Sequence, residues 1–179
     1  MLADGKRYIL YGSRSDRFRI QNIADPHWGS AACAEEHLKD DIEAIRTDPF
    51  AFWLGTGDNA EFVGYRDKRF DPDSVAPGIT VKDLGRLGKV LTTGVRDLYA
   101  PIKEKCLGLG KGNHELQYEL HTDQRGLHEW LCLELGVPNL GYCSIFDIVF
   151  CRTANRNIPE LVREDFAEPC TRRAFRCIA

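Results

Sequence analysis

No apolar run approaches the roughly 18 residues that a membrane-spanning helix needs, and the opening MLADGKRYIL lacks the apolar core of a signal peptide. A cytoplasmic protein without a membrane partner is expected. The seven cysteines form no C-x-x-C pair and are odd in number, so neither a zinc knuckle nor a disulfide framework is indicated. Most are expected to be reduced, buried, small apolar side chains. A strong charge of one sign is also missing. The net −3 offers nucleic acid no global attraction, although a local basic patch could still hold a phosphate backbone. Internal repeats and low-complexity segments are absent. Histidine is scarce, with five in the chain and none after His128.

What is present is ordinary for one globular domain: 179 residues, 43% hydrophobic and 28% charged. Residues 8–11 and 18–23 read as strands separated by the turn-like Gly12-Ser13-Arg14-Ser15-Asp16. Ala34, Leu38, Ile42 and Ile45 then recur at helical spacing, with Ser30 as the expected N-cap. Residues 50–54 read as a buried strand. Residues 64–79 read as a surface excursion that could face substrate. Thr80 is expected to cap a long helix with the stripe Val81, Leu84, Leu87, Leu91, Val95 and Leu98, weakened by Gly85, Gly88 and Gly94 and stopped near Pro101. A strand over 105–109, a helix carrying Leu127, Trp130, Leu131 and Leu135, and a strand within 142–151 complete the pattern.

The fold class that follows is α/β, a central mixed β-sheet flanked by helices. Residues 1–151 form the domain, and residues 152–179 form a polar, Arg-rich, irregular tail that does not continue the sheet. In that tail Glu160, Glu164, Asp165 and Glu168 partly offset the arginines, so no strong basic arm results.

Three polar clusters follow predicted strands, at 25–27, 58–61 and 112–115, and strand carboxyl ends converge on one edge in layered α/β folds. Carboxylates from Asp25 and Asp58, the His27 imidazole and the Asn113 amide oxygen suit Mn, Fe, Zn or similar divalent ions. Two such ions about 3.5–4 Å apart, with a carboxylate such as Asp58 bridging them, would serve phosphoester hydrolysis. His114 would contact the phosphate or protonate the leaving oxygen, with Glu115 orienting it or raising its pKa. Taken singly, the bland readings stand beside these: Asp25 and Asp58 as turn residues, Glu61 as a loop-ordering carboxylate with a supporting role toward the metals as the alternative. Arg66, Lys68 and Arg69 read as a solvated basic loop or as a phosphate-binding rim. His37, His121 and His128 read as structural.

The blocks Asp25-Pro26-His27, Gly57-Asp58-Asn59-Ala60 and Gly112-Asn113-His114-Glu115 stand in the order D-x-H, G-D-x-x, G-N-H-[DE]. In this the chain resembles the calcineurin-like metallophosphoesterase family over about residues 18–150. The resemblance implies a layered sandwich and two divalent metal ions. It places Asp25 and His27 on one ion, Asp58 bridging, Asn113 on the second and His114 as the catalytic histidine. A metal-activated hydroxide would attack a phosphoester, either a small molecule or, for a nuclease, nucleic acid. The family's later lone His and G-H-x-H have no counterpart, because no histidine follows His128. A truncated or frame-shifted site, incomplete at its C-terminal side, is therefore expected ahead of one rebuilt with tail acids, and a catalytically incompetent remnant that binds metal weakly is the alternative to the hydrolase.

Overall fold

The computed structural model describes residues 5–154, 156–163 and 171–178. Strand β1 (Lys6–Tyr11) and β2 (Arg19–Ile23) precede helix α1 (Glu35–Thr47) and β3 (Ala51–Gly55). Helix α2 (Leu87–Tyr99), β4 (Cys106–Gly110), α3 (Asn113–His121) and α4 (Leu127–Leu135) follow. The chain then runs through β5 (Asn139–Gly141), β6 (Ile145–Arg152), β7 (Glu160–Val162) and β8 (Thr171–Ile178).

The protein is α/β, but its strands form two sheets where one was expected. One has the order β2-β3-β4-β5 with parallel pairing throughout. The other has the order β7-β1-β6-β8, in which β1 and β6 are parallel while β7 and β8 run antiparallel to their neighbours. Side-chain alternation explains the layering. Ile9 of β1, Phe52 of β3, Leu107 of β4 and Phe146 and Ile148 of β6 meet between the sheets, with Phe18 wedged against Phe150 at 4.9 Å. The opposite face, Ile23, Trp53, Cys106 and, past the register shift in β4, Leu109, turns to the helices and packs on Leu38, Ile42 and Ile45 of α1, Leu91 and Val95 of α2 and Leu131 of α4. Each such Leu or Ile contributes about 1.5–3 kcal/mol by leaving water. Trp53 is fully buried there and donates its indole N–H to the Ile102 carbonyl at 2.8 Å.

The tail expectation is corrected. β7 pairs with β1, and β8 pairs with β6 along eight residues, so these two strands extend the second sheet on both sides. Their alternation is masked by arginine, because β8 exposes Arg172, Arg173 and Arg176 while it borrows its order from the β6 ladder. Glu164, Asp165, Glu168 and Cys170 lie outside the described residues.

Three local expectations also change. Helix α1 starts at Glu35, and the Ser30 hydroxyl instead accepts from the Ala32 N–H at 3.3 Å in the preceding turn. Thr80 does start a helical stretch, holding Asp83 through its N–H and hydroxyl, but Val81–Arg86 is a 3₁₀ turn with Val81 exposed. The α-helix proper begins at Leu87. The single helix after the third block is two, separated by a break that ends at Gly126, whose φ of 67° favours glycine. Among the described residues the cysteines are free thiols, and no helix is long and apolar enough to cross a membrane.

Candidate metal centre

Each of the three polar blocks leaves the carboxyl end of a strand in the parallel sheet: block one after β2, block two after β3, block three after β4. Backbone bonds lock the first two loops together. The N–H groups of His27, Trp28 and Glu61 donate to the carbonyls of Asp58 at 3.1 Å, Asn59 at 3.2 Å and Trp28 at 3.0 Å. The third loop is tied in by carboxylates. Asp58 Oδ1 accepts the His114 N–H at 2.7 Å, close to the N-terminus of α3, where the helix dipole favours a negative charge. Glu115, 3% exposed, accepts from the N–H groups of Asp58 at 3.1 Å, Asn59 at 2.8 Å and Gly112 at 3.1 Å, and from the Asn59 amide at 3.1 Å. Burial pushes the Glu115 carboxyl above the ordinary range, opposed by the N–H donors gathered around it.

The loops bend through unusual backbone. Asp25, His27, Asp58 and Phe62 have φ between 46° and 49°, the non-glycine positive values among the described residues. Asp and His tolerate that region better than most side chains, yet each such residue still costs of order 1–3 kcal/mol. The surrounding hydrogen bonds hold them there.

The result is a cluster in which His27, Asp58 and His114 each offer a donor atom, all within 4.8 Å of one another. The two imidazole rings stand edge to face with centroids 4.5 Å apart. His27 Nδ1 is buried and has no hydrogen-bond partner, although Glu61 Oε2 lies 3.0 Å away without the alignment of a hydrogen bond. An orphaned imidazole nitrogen beside a carboxylate and a second imidazole fits a borderline divalent cation such as Zn or Mn. His114 Nδ1 contacts the Glu61 carbonyl. A carbonyl can only accept, so Nδ1 carries the hydrogen and Nε2 is the ring nitrogen left for other partners.

Two other expected ligands, Asp25 and Asn113, are exposed. Asp25 is exposed, outside the three gathered donors, and lines an adjoining cleft with His27 and Glu61. Asn113 is exposed at the first residue of α3. Glu115 does not orient His114 as anticipated, because its carboxylate turns to the Asp58, Asn59 and Gly112 amides. Glu61, read from the sequence as a loop-ordering carboxylate, does tie the loops together. Its N–H, carbonyl and carboxylate touch the first loop, His114 and His27 respectively, and its place three residues after Asp58 was the signal available.

His37 is exposed on α1 and His121 contacts only Gln117, whereas His128 is buried. Arg69 is bound to Asp67 through paired hydrogen bonds and holds that carboxyl down at about 2. Compared with protein-family models, curated proteins and solved structures, the chain matches none.

Proposed function

We propose that the chain is a metal-dependent phosphoester hydrolase of the calcineurin-like type, with the layered sandwich of that family and a pair of divalent ions. The observation that supports it is the convergence of His27, Asp58 and His114 within 4.8 Å at the ends of adjacent parallel strands. His27 and Asp58 would hold one ion, with Asp25 completing that set and Asn113 serving the second. Bound ions of this kind polarise a phosphoryl oxygen and lower the pKa of coordinated water.

The chain's own residues prepare the rest. The His114 N–H occupies one lone pair of Asp58 Oδ1, which orients the carboxylate. The Glu61 carbonyl keeps the hydrogen of His114 on Nδ1, so a protonated ring presents its second proton from Nε2 to the leaving oxygen. Overall, water supplies the oxygen that joins phosphorus as the ester P–O bond breaks, and the departing alkoxide takes a proton. A cytoplasmic setting accords with the free thiols among the described residues.

One observation favours a second reading, a remnant that binds a single ion weakly and turns nothing over: Asp25 stands outside the gathered donors. Hydrolysis of bis(4-nitrophenyl) phosphate with added Mn, beside calorimetric Mn titration, separates the two. The hydrolase reading expects Mn-dependent turnover that Asp58→Ala and His114→Ala abolish, with metal binding lost in Asp58→Ala. Mn binding without turnover in the parent chain would establish the remnant.

A further inference from the structure

The cleft that adjoins His27 has a volume of about 520 Å³, within the roughly 300–1,000 Å³ of small-ligand pockets. One end is formed by Asp25, His27 and Glu61 from the metal-centre loops, the other by α1, which presents His37 and Asp41 one helical turn apart. No lysine or arginine among the described residues lines it. A strand of nucleic acid brings a phosphate every few ångströms and needs cations along its track, and this cleft supplies carboxylates in their place.

Asp41 is the informative one. On α1 Glu35 and Glu36 are matched to Lys39 and Glu43 to Arg46, whereas Asp40 and Asp41 have no ion pair among the described residues. Of these two, Asp41 lines the cleft shared with the metal-centre histidine. Among the described residues no Phe, Tyr or Trp lines it either. A quaternary ammonium group is recognised by an aromatic cage, whereas a primary ammonium offers three N–H donors to carboxylate and amide oxygens such as those of Asp41 and Asn22.

Resting on the hydrolase reading, we infer that the substrate is a small phosphoester bearing a primary ammonium group, an amino-alcohol phosphate of the ethanolamine class. Its phosphate faces His27 and its ammonium faces Asp41. Asp41 is a specificity-determining residue and takes no part in bond breaking.

The Mn-loaded full chain is offered 4-nitrophenyl phosphoethanolamine, its choline analogue, bis(4-nitrophenyl) phosphate and a short single-stranded oligonucleotide. In each aryl ester, water oxygen joins phosphorus and 4-nitrophenolate leaves. The ethanolamine ester is expected to have the lowest KM. Asp41→Asn, an exposed helical substitution, should raise that KM about fivefold, the upper end for an exposed ion pair. It should leave kcat and the hydrolysis of bis(4-nitrophenyl) phosphate unchanged. Calorimetric binding of phosphoethanolamine should weaken by the same factor, and the difference should shrink in high salt. Equal KM values for the ethanolamine and bis-aryl esters, a choline ester handled as well, a preferred oligonucleotide, or an Asp41→Asn effect shared by all substrates would each overturn the inference. Hydrolysis of the bis-aryl ester alone overturns it while leaving the hydrolase reading standing. No hydrolysis of any probe overturns both.

Discussion

Single residues carry the tension in this molecule. Asp25, His27 and Asp58 combine positive φ with polar side chains at strand ends, so the backbone is bent where the chemistry gathers. A second strained account belongs to His128. It is 1% exposed, with Nδ1 unpartnered and Nε2 3.2 Å from the Asn139 amide oxygen. Burial holds its pKa below the ordinary histidine value, against the pull of the nearby Glu129 carboxylate. In the unfolded chain the ring takes its proton near pH 6.5, in the folded chain only at lower pH. The stability it contributes is therefore full above about pH 6.5 and is lost as pH falls through the depressed folded value. Thermal unfolding followed from about pH 7 down to about pH 5 should show a falling midpoint, and His128→Gln should flatten that slope even if its midpoint at neutral pH is lower. An unchanged slope would remove His128 from the account.

At the scale of elements, the strand-loop-helix rhythm was legible because β3 and β4 are apolar runs and β2 an alternating one, each stopping at a polar block. How closely the loops would be pressed together was not. Gly57, at φ 109°, and Gly112 bring the second and third loops into backbone contact. A Cβ on Gly112 would meet Asp58 N and Oδ1 at 2.1 Å. Gly112→Ala must therefore push the Asp58 carboxylate out of line, and the expected outcome is Mn affinity lower by about 10–100-fold, as when a ligand's supporting contacts are removed. Titration calorimetry measures it, and circular dichroism should report an intact fold. The α2 glycines teach the same lesson. Gly94 looked like a helix weakness, yet a Cβ there would sit 2.0 Å from the Trp28 ring, so the gap admits the residue that anchors the first loop. Sequence periodicity reports which face is apolar and says nothing about how near another element will come.

Across the whole molecule, two sheets share one interlayer core, and the segment after residue 152 is part of it. β7 and β8 cover the flanks of β1 and β6, while Arg163 donates to the carbonyls of Lys103 at 2.9 Å and Cys106 at 3.4 Å and to that of Gly136. Deleting residues 153–179 should leave the β1 and β6 edges unpaired and the remainder aggregating or melting without a cooperative transition, judged by light scattering and circular dichroism. A monomeric, cooperatively melting fragment would show the tail to be dispensable. The sequence by itself determined the α/β class and the strand-to-block order, and it named five site residues, of which His27, Asp58 and His114 come together, because apolar periodicity and donor chemistry are local properties. Tertiary structure alone decided that the strands split into two sheets, that β7 and β8 of the Arg-rich tail join one of them, and that Glu115 turns to the loop amides. Strand partners and loop contacts are chosen between residues distant in the chain, by packing and by the hydrogen-bond needs of buried groups.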